Sequence, residues 1–325
     1  MVQHVIVQSV LLLAPVCHAL AVTVTVDWRG NGAMFKTIQE AVNSLSLTST
    51  EAQVLTIAPG KYLEQVTIPF LQGQLNVYGL KTPSLNYTDN QVTISCNKNR
   101  ATESDNFHTA TLRILTSKVK IYNINVENTS PPSAHQALAL AASVGMQGYY
   151  ACQFSAYQDT VWTDSGHQVF SKCMISGLVD FIFGGGRALV TKTFVRVLPG
   201  SVGYITASGR KAANSSAWIL LDQCHIDGGD SGTTHKIFLG RPWRPFGKVI
   251  VQHSYLSDII NPRGWAPWMS TMSTANAEFQ EFGNTGPGAP LGNRTIGHQA
   301  NTSATISDIL GADYLAMSYV DGTFL

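Results

Sequence analysis

One pattern occurs twice in this chain: Cys152-Gln-Phe-Ser-Ala-Tyr-Gln-Asp159 and Cys173-Met-Ile-Ser-Gly-Leu-Val-Asp180. Each copy reads cysteine, six residues, aspartate, and the copies start twenty-one residues apart. A step of about 20–25 residues is the length of one coil in a solenoid. With one repeat per coil, Cys152 stacks on Cys173 and Asp159 on Asp180. Neighbouring strands lie roughly 4.7–4.9 Å apart, so the two carboxylates meet across the coil boundary. Close carboxylates do not ionise independently: one keeps its charge and the other tends to hold a proton. The spacing therefore predicts a nucleophile or base beside an acid.

The rest of the chain fits such a solenoid. Short strand-like runs recur at 54–57, 65–68, 75–78, 91–94, 119–122, 168–170, 188–190, 218–221 and 248–251, with polar or glycine-rich corners between them. Helical periodicity is nearly absent there, which argues for an all-β fold. The coil-length repeat favours a parallel β-helix over a sandwich, and the L-x-x-L-x-L pattern of leucine-rich repeats is missing. The run 22–26 reads as a strand. Residues 35–45 read as a helix with Phe35, Ile38, Ala41, Val42 and Leu45 on one face, suited to cover the open end of the solenoid. The tail from about residue 276 is rich in Gly, Asn and Pro and is expected to pack as loops along the solenoid, ending in a short helix near 306–317. No linker is visible, so residues 22–325 form one domain in this reading.

Charged residues make up 13% of the chain, about half the usual fraction of roughly 25%. The net charge of +1 gives nucleic-acid binding no electrostatic support. Residues 1–21 read as a secretory signal: an apolar run over 5–16 is followed by Ala19-Leu-Ala21, a small-residue cleavage pattern. The run is short for a membrane span of about 20 apolar residues. The expectation is a secreted, extracellular protein without a membrane anchor, and a monomer. Four cysteines remain beyond the signal: Cys96, Cys152, Cys173 and Cys224. Stacked parallel side chains point the same way, so Cys152 and Cys173 are expected as free thiols. Sequons at Asn86, Asn128, Asn214, Asn293 and Asn301 suggest glycosylation.

Further candidates surround the aspartates. Gln158 precedes Asp159, and Gln136 lies twenty-two residues earlier, again about one coil. Amide donors aimed at a developing oxyanion contribute strongly, roughly 3–4 kcal/mol for one donor in an acyl-transfer enzyme. A ladder of stacked amides is the structural alternative. In Leu239-Gly-Arg-Pro-Trp243, Arg241 offers a planar fork to a carboxylate and Trp243 a flat face. An arginine on one aspartate would hold it ionised and lower its pKa. The bland reading is a surface loop with a packed tryptophan. Asp180 opens the apolar run Asp180-Phe-Ile-Phe-Gly184, where a carboxylate needs a partner or caps a turn. The nine histidines show no His-x-x-x-His pattern and no Cys-x-x-Cys occurs, so no metal is expected. Gly184-Gly-Gly-Arg187 lacks the Lys-Ser/Thr of a phosphate loop. Gly229-Asp-Ser-Gly232 continues with Thr-Thr-His rather than glycine and carries little weight as a serine-nucleophile loop.

Five ordered segments resemble the signature motifs of pectin methylesterases, carbohydrate esterase family 8: Gly60-Lys-Tyr-Leu-Glu64, His135-Gln-Ala-Leu-Ala-Leu140, Tyr157-Gln-Asp-Thr-Val-Trp162, Asp180-Phe-Ile-Phe-Gly184 and Leu239-Gly-Arg-Pro-Trp243. The opening run Gly32-Ala-Met-Phe-Lys-Thr-Ile-Gln-Glu-Ala-Val42 fits as well. The resemblance covers nearly the whole chain beyond the signal and is most like short fungal members without an N-terminal inhibitor-like region. It implies a single-stranded right-handed parallel β-helix that removes methyl esters from pectin, leaving pectate and methanol, with no cofactor. It implies Asp180 as nucleophile, Asp159 as general acid then base, Gln158 and Gln136 as the oxyanion site, and Arg241 as the partner of Asp180. Trp243, Thr111 and Phe183, with Gln136 and Arg241, would contact the sugar chain. Val161-Trp162 and the Gly184-Gly-Gly-Arg187 loop depart from the common family versions, which touches subsites and no catalytic position. From the residues alone, a glycoside hydrolase with two carboxylates about 5–5.5 Å apart, a calcium-dependent lyase and a non-catalytic wall-binding module stay open.

Overall fold

The computed structural model describes residues 22–228 and 232–325. The signal-peptide reading of residues 1–21, and most of the Gly229–Gly232 run, lie outside the described residues. Strands are short because each makes one side of a coil. Successive strands go to three sheets in rotation, and all the strand pairings are parallel. The sheets hold eleven, seven and eight strands among the described residues. The fold is thus the parallel β-helix expected. No helix among the described residues is long and apolar enough to cross a membrane.

Alternation sorts the side chains. In Leu112–Ile114, Leu112 and Ile114 enter the central core while Arg113 faces outward. The bend between the eleven- and eight-stranded sheets repeats one solution coil after coil. Asn123, Ala151, Lys172, Lys192, Gln223 and His253 all take left-handed φ of 48–54°. Such a conformation is disfavoured for residues with a Cβ, so something must hold it. At four corners the residue after the bend on the next coil does so through its side chain. Cys173 Sγ accepts from Cys152 N, Thr193 Oγ1 from Cys173 N, Ser254 Oγ from Cys224 N and Asn284 Oδ1 from Ser254 N, at 3.4, 3.2, 3.0 and 3.0 Å. The recurring cysteine is therefore a corner residue: Cys173 Sγ accepts there, while the thiols of Cys152 and Cys224 donate to Ile121 O and Val190 O at 3.5 and 3.4 Å. Cys96, Cys152, Cys173 and Cys224 are free thiols, and burial pushes Cys173 well up and Cys224 up to about 12.

The N-terminal helix is Ile38–Asn43, shorter than the periodicity at 35–45 suggests, because a Thr37/Glu40 capping box sets its start. It buries Ile38, Ala41 and Val42. Glu64 accepts from Ile38 N and Gln39 N at 2.9 Å each, which puts a carboxylate at the positive end of the helix. Gly60 lets the backbone pass Trp28, since a Cβ there would stand 2.4 Å from the indole nitrogen. The Gly60–Glu64 motif is thus an end-closure device.

The C-terminal tail packs on the outer face of the eleven-stranded sheet. The helix expected near 306–317 forms two pieces, Ile306–Leu310 and Tyr314–Ala316, separated by Gly311 at φ 96°. Tyr78, Tyr122 and Tyr150 stack at 5.0 and 5.1 Å. Over them lie Tyr319, Val320 and Phe324. Tyr150 Oη donates to Tyr319 O at 2.7 Å and Ser171 Oγ to Phe324 O at 2.7 Å. Among the sequons, Asn86, Asn214, Asn293 and Asn301 are exposed. Asn128 is 5% exposed and its amide donates to three backbone carbonyls, of Lys98, Thr109 and Leu138, so it is a structural residue with no amide nitrogen free for a sugar.

Candidate active site

The seven-stranded sheet builds the site. Its strands run from Val66–Ile68 through Leu112–Ile114, Leu140–Ala142, Val161–Thr163, Val179–Gly184 and Gly203–Ser208 to Ile237–Pro242. Strand register puts Thr67, Arg113, Ala141, Trp162, Phe183, Ala207 and Arg241 in one outward row. The two aspartates stand where the chain enters this sheet. Gln158 bridges to Val179 and Asp159 N donates to Val179 O at 3.0 Å, so Asp159 and Asp180 occupy equivalent places on adjacent coils. Both take left-handed backbone, at φ 63° and 50°, a region where aspartate is enriched. A register slip between Val179 and Ile182, against the following coil, inserts an extra residue at Asp180–Phe181. That bulge lets Asp180 reach the cleft while Phe181 stays in the core. Gly177 makes room for it: a Cβ there would lie 2.3 Å from Phe181 Cβ.

Asp159 and Asp180 are 7% and 5% exposed. Arg241 holds Asp180 with both arms of its fork, Nε to Oδ1 at 2.8 Å and Nη2 to Oδ2 at 2.6 Å. The guanidinium is itself fixed between Tyr204 and Trp268, 4.0 and 4.2 Å from the ring centroids. Asn106 Nδ2 donates to Asp159 Oδ2 at 3.1 Å, leaving Oδ1 to carry a proton. Burial, and next the charge of Asp180, push the Asp159 carboxyl well above the ordinary range, against Arg241 and Asn106. Burial also raises Asp180, against the bonds and charge of Arg241. Here the structure corrects the sequence expectation: Arg241 does not carry Asp180 below the usual value, because desolvation outweighs the fork. The order survives, since Asp159 lacks a cationic partner in direct contact and feels its neighbour's charge.

The aspartates open into a cavity of about 310 Å³ that Gln136, Gln158, Phe183, Trp243 and Trp268 also line. Ala137 N donates to Gln158 O at 3.2 Å, which sets Gln136 and Gln158 on adjacent coils. No hydrogen bond joins their amides among the described residues, so they form no ladder and can donate to a guest. Phe183 lies parallel to Trp162 at 5.9 Å and meets Trp243 edge-on at 5.9 Å. The arrangement can present a charged carboxylate, a proton donor and two amides to one carbonyl. The pectinesterase family model matches residues 21–322. The chain belongs to the pectinesterase family.

This pectinesterase chain is a carboxylic ester hydrolase by that membership, and it resembles fungal relatives. It is 41% identical to the pectinesterase of Aspergillus niger over 91% of this chain and 90% of that one. It is 36% identical to the pectinesterase of Aspergillus aculeatus over 90% of each. Its fold matches the crystal structure of the A. niger pectin methylesterase with TM-score 0.85 and 34% identity, covering 94% of this chain and 98% of that one. The carrot pectin methylesterase matches with TM-score 0.84 and 27% identity, over 93% and 98%.

Seven of the eight residues singled out from the sequence converge on this pectinesterase cleft. The exception is Thr111. It is 0% exposed, and its hydroxyl donates to Glu127 O at 2.9 Å. It lies inside the coil and cannot touch a sugar chain. Asn106, Trp268 and Tyr204 escaped the sequence reading. Asn106 and Trp268 come from connecting segments outside the coil repeat, and Tyr204 sits in an ordinary alternating strand. Asp105, the N-cap of helix Asn106–Thr109, was the one local signal near them.

Proposed function

We propose that this pectinesterase hydrolyses methyl esters of homogalacturonan, the acidic backbone of pectin, outside the cell and against the plant wall. Asp180 is the nucleophile. One of its carboxylate oxygens bonds to the ester carbonyl carbon, and the oxyanion is met by the amides of Gln158 and Gln136. The carbon–methoxy bond breaks as Asp159 gives its proton to the departing oxygen, releasing methanol and leaving a mixed anhydride on Asp180. Asp159, now ionised, takes a proton from water. The hydroxide adds to the acyl carbon, Asp180 leaves as carboxylate, and the freed galacturonate departs. Arg241 orients Asp180 throughout, and Trp243 and Phe183 wall the sugar site. The observation that carries this reading is the buried aspartate pair on adjacent coils, one oxygen pair gripped by Arg241 and the other carboxyl left able to hold a proton. The test is methanol release from highly methylated pectin. Asp180→Asn is expected to lower kcat by about 10³-fold or more with the fold retained by circular dichroism. Turnover near the parent's in that variant would sink the assignment.

A further inference from the structure

Asn106 is the one hydrogen-bond partner of the Asp159 carboxyl among the described residues, Nδ2 donating to Oδ2 at 3.1 Å. For a residue from a connecting segment it is firmly held. Asp105 caps the short helix Asn106–Thr109 by accepting from His108 N at 3.0 Å. Thr109 is 0% exposed, and its hydroxyl donates to Asn106 O at 2.8 Å and accepts from Leu138 N at 3.2 Å. Its carbonyl accepts from Asn128 Nδ2 at 3.0 Å. Leu138 lies two residues beyond Gln136, so the segment that bears one amide of the cleft also fixes Asn106 against Asp159.

A donor on a carboxyl oxygen stabilises the charged form more than the neutral one. The hydrolysis proposed above needs Asp159 in both forms in turn. As acid, it is kept protonated by burial and by the charge of Asp180 on the next coil. Once Asp180 is acylated its charge is gone, while burial, the larger cause, remains. Asp159 must now stay ionised to take a proton from water. Two groups favour that: Arg241, from the last strand of the site, acts through its charge, and Asn106 acts by direct donation. Resting on that reading of the reaction, we propose that Asn106 is a positioning residue for its second half: it holds the Asp159 carboxylate ionised, with Oδ1 left for water, until the acyl group is hydrolysed.

Methanol leaves in the first half and the acid product in the second, so the halves can be read apart. Methanol release from highly methylated pectin is followed through the first turnover and into the steady state, between roughly pH 5 and pH 8. Asn106→Ala is expected to give a burst of about one methanol per enzyme molecule, then a steady rate about tenfold below the parent's at the acid end. The deficit narrows as pH rises, because the unsupported carboxyl ionises again. Hydroxylamine bonds to the acyl carbon through nitrogen, loses a proton to solvent and displaces Asp180 as carboxylate, so it restores the variant's steady rate without Asp159 as base. Asn106→Leu fills the volume of the lost amide and gives the same result should the smaller side chain loosen the helix. A steady rate like the parent's in both variants, or a loss that is equal at every pH and comes without a burst, overturns the inference. A parent that releases no methanol overturns the proposed function instead.

Discussion

Protonation at Asp159 is where single residues decide most. Burial raises its carboxyl well above the ordinary range, and Asp180 adds to the shift. A carboxyl whose pKa is raised on folding binds its proton more tightly in the native state. Its contribution is then complete below the unfolded value of about 3.9 and is lost as pH rises through the folded value. Asp159→Asn keeps the Asn106 neighbourhood polar and removes that loss. Melting temperature followed from pH 4 to pH 8 should show the variant gaining on the parent as pH rises, while methanol release falls. A parent and variant with parallel curves would mean that Asp159 titrates normally. The same pair shapes the rate profile: attack needs Asp180 ionised and Asp159 protonated, so kcat/KM is bell-shaped, with limbs that belong to the coupled pair rather than to either residue.

At the level of elements, the left-handed bend is stabilised by the residue that follows it. Thr193 accepts from Cys173 N and donates to Thr191 O at 2.9 Å, fully inside. Thr193→Val leaves Cys173 N without its acceptor, at about 1–3 kcal/mol, while Thr191 O keeps the bond from Lys172 N at 3.1 Å, and thermal unfolding should shift down by several degrees. Thr193→Ser should stay near the parent. Much of this level was legible in the sequence. The Cys-x6-Asp repeat sets coil length, because a register fixed by stacking forces equal residue counts between equivalent corners. The strand runs follow from β-branched alternation. Arg241 and Gln136 were found because glycine, proline and coil spacing leave marks on the chain. Asn106 and Trp268 left none, since they enter the cleft from connecting segments whose path no period fixes. Thr111 was misplaced because a motif neighbour gives position along the chain but not the face of the strand. The balance of burial against the Arg241 fork is also invisible in a string of letters, for it depends on how much water the finished cleft excludes.

For the molecule as a whole, the tail is the long-range clamp. Phe324 packs on Tyr122 and Tyr150 at 5.7 and 5.0 Å, and Tyr122 Oη donates to Asp321 at 2.9 Å. Phe324→Ala is expected to cost about 3 kcal/mol and to expose the tyrosine stack. The readouts are a lower melting temperature and increased binding of an apolar dye; a variant unchanged in both would show that the tail merely rests on the sheet. The cleft itself draws on five consecutive strands of one sheet, from the coil of Gln136 to that of Arg241. Solenoids tolerate gain or loss of whole units because each unit touches only its neighbours. Here that freedom ends wherever the chemistry begins. Duplicating or deleting a unit between Gln136 and Arg241 would move a donor or the guanidinium one rung out of reach, while the ends stay open to lengthening. The lineage of such a chain can therefore vary in overall length yet must keep its middle in fixed count, like a lock whose tumblers are cut into successive floors.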